Sequence, residues 1–423
     1  MSYLHRVIDE ELDELLTGLP AVSIDGVKGV GKTATAERRA RSVLRLDSAG
    51  TRSHAQAEPT MILTQDPPVL IDEWHLVPPV WDVVRRAVDA DRSPGRFLLT
   101  GSALPPSEAR VHSGAGRIVR LMMRPMTLPE RGVSEPTVSL KSLLEGRVSP
   151  LAGNSPMTLV DYTHEIVASG LPGVRQDPDA LRRRTLSTYV DELLERDIPE
   201  LGPQIRRPAA LRAWLTAYAA ATATTASYNR ILDAATPGEA DKPAATTAAA
   251  YRTLLERTWT LDPVEAWIPA FNPLRRLGQA PKHHLCDPAI AASLLGATEQ
   301  SLLLANRETG NLREGTLLGA LFESLAALTL RVFAQPVNAR VSHLRTRNGD
   351  HEIDFIIERS DHKVLAIEAK LTSAPTVADT RHLTWLEGVA SDQLIDKVLL
   401  TTGPSAYRTR EGVAVVPLAL LGP

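Results

Sequence analysis

One eight-residue stretch constrains this chain more than any other: Gly26-Val27-Lys28-Gly29-Val30-Gly31-Lys32-Thr33. It satisfies the spacing G-x-x-x-x-G-K-[ST], follows a short apolar strand at 21–25 and opens a helix-like run at 33–44. Glycines let successive backbone N–H groups wrap a phosphate, and a helix N-terminus adds partial positive charge. On this reading Gly26, Gly29 and Gly31 shape the cradle of a P-loop. Lys32 reaches the β- and γ-phosphates of ATP as the catalytic cation, and the Thr33 hydroxyl binds Mg²⁺. The apolar run 69–73 supplies a complementary strand that ends in two carboxylates. Asp72 is expected to hold the Mg²⁺ shell and Glu73 to polarise the attacking water.

Two weaker elements belong to the same expectation. A strand over 97–100 brings Thr100 toward the γ-phosphate or the water, with a satisfied turn hydroxyl as the alternative. Arg117, in SGAGRIVRL, is a candidate arginine finger in the same subunit or a neighbour, against an ordinary surface role. Residues 118–122 are a further candidate strand, and strands alternating with helices imply a parallel sheet covered on both faces.

Beyond this region the pattern changes. Gly, Pro and Ser recur over 132–158, as in a linker. The stretch 160–260 reads as helical, with Leu186, Val190, Leu193 and Leu194 forming an amphipathic stripe. Helices are predicted over 214–225 and 246–259, separated by TPGEADKP. They suggest a helix-turn-helix with 246–257 as recognition helix and Tyr251, Arg252 and Arg257 as contacts to phosphate or bases; a packing bundle is the alternative.

From about 315 the pattern is mixed α/β: an apolar helix over 316–333, then strands over 352–357, 364–370, 398–401 and 413–416. Asp354 lies on the first of these strands. Glu368 and Lys370, two apart, share one face of the second. If the strands pair, Asp354, Glu368 and Lys370 converge. Close carboxylates repel and raise one another's pKa. A divalent cation resolves that conflict and can activate water for attack on a phosphodiester. Glu323 interrupts the apolar helix, where an unpartnered carboxylate is costly to bury. The functional reading therefore makes Glu323, Asp354 and Glu368 metal ligands, with Glu368 and Lys370 catalytic. The alternative is a solvated pair of acids with a cross-strand Glu–Lys contact.

Composition narrows the setting. A chain of 423 residues exceeds one ordinary core, and the boundaries are drawn at 1–135, 136–275 and 276–423. A hydrophobic share of 43%, no evident apolar run of membrane-spanning length and acids within the first twenty residues argue against a membrane span or signal peptide. Cys286 is the only cysteine, so no internal disulfide is possible and a cytoplasmic location is expected. A net charge of −3 gives no global argument for nucleic-acid binding. With 8 lysines against 39 arginines, a lysine is slightly informative, and Lys28, Lys32 and Lys370 all fall in these motifs, although genome composition also explains the excess.

The stretches GVKGVGKT, VLIDEW, FLLTGSA, YVDELLERDI, APKHHLCD, LGALFESL, HEIDFII and AIEAK, in order over nearly the whole chain, resemble a bacterial and archaeal family of AAA-type ATPases with a C-terminal domain of unknown function. The resemblance implies an α/β protein: a P-loop parallel sheet, a winged-helix-like middle, and a C-terminal domain similar to the PD-(D/E)XK nuclease fold. It implies nucleotide roles for Gly31, Lys32, Thr33, Asp72 and Glu73, and nuclease-type roles for Glu323, Asp354, Glu368 and Lys370. The TPGEADKP insertion and the weakly basic recognition segment depart from it. The resulting expectation is an ATP-hydrolysing protein whose nucleotide state controls a metal-dependent module acting on DNA or RNA, with homo-oligomers as further partners. Its rivals are a slow ATP switch, or a toxin–antitoxin or regulatory protein that binds DNA or protein without nuclease activity.

Overall fold

The structure, a computed structural model, describes residues 3–104, 114–147, 151–200, 207–236, 245–268, 280–308, 317–346 and 349–423. Five strands, β1 (Ala21–Asp25), β2 (Ser42–Arg45), β3 (Val69–Asp72), β4 (Phe97–Gly101) and β5 (Val119–Met122), form one sheet in the order β2-β3-β4-β1-β5. Every pairing in it is parallel. β1, β3 and β4 are buried from end to end, as a sheet covered on both faces requires. Alternation sorts their side chains. Val69, Ile71, Phe97 and Leu99 face one core with Trp74, Trp81 and Val84, whereas Val22, Ile24, Leu70 and Leu98 face the other. Because all five strands run the same way, the loops after β1, β3 and β4 open on one edge, where ligands bind in open α/β sheets.

The helix expected over 33–44 is shorter. Lys32–Glu37 is helical, and Ser42–Arg45 is instead the edge strand β2. Its side chains alternate between half-buried and exposed, and only Val43 and Leu44 are apolar, so neither period was strong.

The middle contains the helices Leu159–Val167, Asp179–Glu192, Pro208–Ala220, Tyr228–Ala235 and Ala245–Arg257. The second continues into a π-helical turn, Leu193–Asp197, and Leu186, Val190, Leu193 and Leu194 are all buried. Of TPGEADKP, all but Thr236 lies outside the described residues. After the last helix the chain forms an antiparallel ribbon through the bridges Leu261↔Leu285 and Val264↔Lys282. The ribbon joins the C-terminal sheet, where Trp267 N–H donates to His343 O at 2.6 Å and His343 N–H to Glu265 O at 2.9 Å.

β6 (Val138–Ser139) precedes the middle, and β7 (Arg340–Arg345), β8 (Glu352–Glu358), β9 (Val364–Ala369), β10 (Leu394–Thr401), β11 (Tyr407–Arg408), β12 (Ala414–Pro417) and β13 (Leu421–Gly422) follow it. Six of these form a mixed sheet, β11-β12-β10-β9-β8-β7, in which β9–β10 and β10–β12 are parallel. β13 pairs with β6, bringing the last strand beside residues that precede the middle helices. The helix Leu317–Ala334 packs on this sheet with Leu321, Phe322, Leu325 and Leu330 buried. Its 18 residues and mean hydropathy of 1.7 meet the length and composition of a membrane span, although Glu323, Ser324, Thr329 and Arg331 interrupt the apolar run. Two-thirds of it (67%) is buried inside the protein, which makes it a core helix here. One core cluster runs without a break from Val22 and Leu98, through Trp214 and Leu255, to Phe322, Ile367 and Val416.

Candidate functional site

The loop after β1 needs its glycines. A Cβ on Gly26 would lie 2.2 Å from Met123 O, and Gly31 has φ +106°, a conformation that side chains disfavour. Lys32 follows at the helix start, 4% exposed, and its ammonium donates to Gly26 O at 2.8 Å and Val27 O at 3.0 Å. Burial pushes its pKa down to about 8, although Glu73, Asp25 and Asp72 pull the other way. Thr33 Oγ1 donates to Asp72 Oδ1 at 2.7 Å, and Thr100 Oγ1 donates to the same oxygen at 2.5 Å. Burial raises the Asp72 pKa despite these two donors. The strands thus bring Lys32, Thr33, Asp72 and Thr100 together at one edge of the sheet.

Glu73 sits just beyond, at φ 54° and ψ 47°, a left-handed conformation uncommon for a residue with a side chain. Its Oε2 accepts from Ser102 N–H at 3.1 Å and Ser102 Oγ at 2.9 Å, with His75 Nδ1 at 3.2 Å. Backbone strain of this kind collects where a side chain must be aimed. Asp25, buried at the end of β1, pairs with Arg120 Nε at 2.5 Å; sequence reasoning did not single out either residue. Arg117 does not join the cluster. It precedes β5, whose Val119 is level with Val22 near the start of β1, and it pairs with Asp89 at 2.8 Å. That places it at the end of the sheet opposite the phosphate loop. The residues at the loop fit a magnesium nucleotide: a glycine cradle, a lysine at its base, and a hydroxyl and a carboxylate 2.7 Å apart.

The second cluster lies in the C-terminal sheet. Phe355 pairs with Ile367 across antiparallel β8 and β9, so Asp354 falls opposite Glu368, as the strand spacing requires. Lys370 Nζ lies 3.1 Å from Glu368 Oε2 and 3.8 Å from Asp354 Oδ2, while Ala369 N–H donates to Asp354 Oδ2 at 3.0 Å. Glu323 joins from the helix Leu317–Ala334. The four expected residues do converge. Between them stands a residue that no spacing pointed to: Lys282, from the ribbon. Its ammonium lies 2.9 Å from Glu323 Oε1, 3.0 Å from Glu352 Oε1 and 2.9 Å from Asp354 Oδ1.

Burial disfavours the Lys282 charge, but Asp354, Glu323 and Glu352 outweigh it and hold its pKa well above the usual value. The carboxyls divide. Burial and the Asp354 charge raise Glu323 to about 8 and push Glu368 well up. Lys282 and Lys370 depress Asp354 against the opposing effect of burial. Among the described residues no group of three or more His, Cys, Asp or Glu side chains is arranged to hold a metal ion. The expected ligand set of Glu323, Asp354 and Glu368 therefore does not fit a divalent metal as it stands, because an ammonium is already in contact with two of the three.

Hydrogen bonds and salt bridges link the segments that carry the two clusters. Leu104, beyond β4, exchanges hydrogen bonds with Arg257, N–H to O at 3.0 Å and Nη2 to Leu104 O at 3.1 Å. Arg124, beyond β5, pairs with Asp262 at 2.7 Å, and Asp262 pairs with Arg331 at 3.0 Å on the helix that carries Glu323. Lys28 of the phosphate loop is held by Asp197 of the π-helical turn at 2.8 Å. Of the proposed recognition helix, Tyr251 is buried, Arg252 lies 4.6 Å over the Tyr228 ring, and Arg257 is held at Leu104. These contacts describe a packing role and offer no free basic face.

Residues 19–131 match a family model described as an AAA domain. Residues 160–301 and 318–421 match two models each described as a domain of unknown function (DUF8612 and DUF4143). An uncharacterized protein of Mycobacterium tuberculosis is 26% identical over 352 residues, 82% of this chain and 68% of that protein. An uncharacterized protein of Mycobacterium bovis gives the same figures. Among solved structures, a Walker-type ATPase of Pyrococcus abyssi superposes with TM-score 0.39 at 15% identity, covering 68% of this chain and 94% of that one. The Aeropyrum pernix ORC2 protein superposes with TM-score 0.27 at 14% identity, covering 71% and 94%.

Proposed function

We propose that this chain, with an AAA-type P-loop domain over residues 19–131, binds ATP with Mg²⁺ at the loop before Lys32 and hydrolyses it slowly as a conformational switch. The observation that carries the reading is the convergence of Lys32, Thr33, Asp72 and Thr100 at one sheet edge, with two hydroxyls on one Asp72 oxygen. Thr33 and Asp72 would hold the magnesium, which would neutralise charge on the β- and γ-phosphates. Backbone N–H groups between Gly26 and Gly31 bind the phosphates, and Lys32 leaves its two loop carbonyls to join them. Glu73, aimed by Ser102 and His75, takes up the proton of the attacking water, and Thr100 orients that water or the γ-phosphate. Arg117 faces away from this chain's own loop, so an arginine-finger role for it requires a neighbouring copy.

Nucleotide state would reach the C-terminal module through Arg257–Leu104 and Arg124–Asp262–Arg331, since both originate on segments leaving the sheet near the loop. Control of a metal-dependent nuclease is disfavoured by Lys282, whose ammonium already contacts Glu323 and Asp354, and binding of a protein partner fits better. Isothermal calorimetry with Mg²⁺–ATP tests the central proposal. Binding by wild type and its loss in Lys32→Ala is expected; wild-type protein that is folded and takes up no nucleotide would overturn it.

A further inference from the structure

We propose that the Lys282 ammonium is the resident cation of the C-terminal carboxylate cluster, that it stands where a divalent metal would have to sit, and that removing it turns the cluster into a metal site. A lysine ammonium has three donors and no acceptor. Here the ammonium contacts three carboxylates from two elements: Glu323 on the core helix, and Glu352 and Asp354 on β8, all at 2.9–3.0 Å. The Lys282 backbone is fixed as well, since its N–H donates to Val264 O at 2.8 Å and its carbonyl accepts from Val264 N–H at 2.9 Å. With the side chain 1% exposed, the ammonium has no solvated position to move to without opening the ribbon.

The surrounding oxygens are otherwise what a hard cation takes. Mg²⁺ binds oxygen at roughly 2.0–2.1 Å in octahedral geometry, with carboxylates and water as ligands. Glu368, 2% exposed, has a buried Oε1 with no hydrogen-bond partner, while its Oε2 lies 3.1 Å from Lys370 Nζ. An ammonium in contact with Glu323, Glu352 and Asp354 at once fills the space between them that a metal at ~2.1 Å from the same oxygens would need. Lysine therefore neutralises the site and ties the ribbon to the sheet. The cluster fixes the geometry of the domain contact, and water activation by a metal has no place in it.

The test is Mn²⁺ titration of nucleotide-free full-length protein, followed by the loss of the free-ion electron paramagnetic resonance signal. It is run on wild type, Asp354→Asn, Lys282→Ala and the Lys282→Ala/Asp354→Asn double variant. The uptake that Asp354→Asn removes reports this cluster and excludes any contribution from Thr33 and Asp72. Expected are no such uptake in wild type and one equivalent in Lys282→Ala that the double variant loses. The proposal fails if wild type takes up an equivalent that Asp354→Asn abolishes. It also fails if folded Lys282→Ala, judged by circular dichroism and ATP binding, takes up none. Should Lys282→Ala not fold without metal, refolding by Mn²⁺ supports the proposal, and the wild-type titration decides independently. ATP binding is read in the same samples, so failure here is distinguishable from failure at the phosphate loop.

Discussion

Lys32 and Glu73 divide the labour that the geometry suggests. Glu73→Gln keeps the side-chain shape but cannot accept a proton, so it should bind ATP with affinity near wild type and lose hydrolysis by about 10²–10⁴-fold in a steady-state phosphate assay. Lys32 gives a pH signature. Its pKa in the folded protein is lowered to about 8, so its charge is lost as pH rises through that value. Phosphate binding favours the charged form, hence ATP affinity should fall above pH 8 and binding should take up a proton, readable as buffer-dependent calorimetric enthalpy. The stability term has the opposite sign. The unfolded chain holds this proton up to about pH 10.4, so the unfolded state binds more protons between the two values and this group's contribution rises with pH there. At this scale the phosphate site was legible because Gly26 to Thr33 is contiguous and carries its own chemistry. Lys282 was not, because its partner Asp354 is 72 residues away and only the ribbon brings them together.

Among the elements, those with one strong period were readable and those that borrow stability from neighbours were not. The core helix and strands β3, β4, β8 and β9 are runs of apolar residues whose burial follows from their sequence. β7, with sequence RVSHLR, has no such run, and it is held as a strand by pairing with β8 and by the ribbon. The ribbon also carries Asp262, whose partners Arg124 and Arg331 lower its pKa to about 2 against the opposing effect of burial. That carboxylate contributes stability above the unfolded value near pH 3.9, and the contribution is lost as pH falls toward 2. Asp262→Asn leaves two arginines without their counter-charge in a partly buried contact. It should cost around 3 kcal/mol in urea denaturation, and it should weaken the influence of ATP on the C-terminal sheet.

For the molecule as a whole, the continuous core predicts that ATP is felt far from the loop. A ligand present at 100 times its Kd stabilises the folded state by about 2.7 kcal/mol. Because one core cluster spans Leu98 and Phe322, amide exchange in the helix Leu317–Ala334 should slow on ATP addition in wild type and not in Lys32→Ala. The pairing of β13 with β6 adds a closure that local sequence could not reveal: two strands of two residues each have no period to detect. Leu418 to Leu421 are nonetheless buried, and Ala419 N–H donates to the Tyr162 hydroxyl at 3.0 Å. Removal of residues 418–423 should lower the thermal midpoint of the entire chain in a single transition, read by calorimetry.

Lys32 and Lys282 are both buried amines held by oxygens of the protein, and they differ in what can release them. Lys32 leans on two loop carbonyls that an incoming anion can replace, whereas Lys282 is enclosed by three carboxylates. Acylating reagents need an uncharged, accessible nitrogen. In a covalent-labelling map of the eight lysines, Lys282 should stay unmodified in every ligand state, and Lys32 should be the position whose reactivity a nucleotide suppresses.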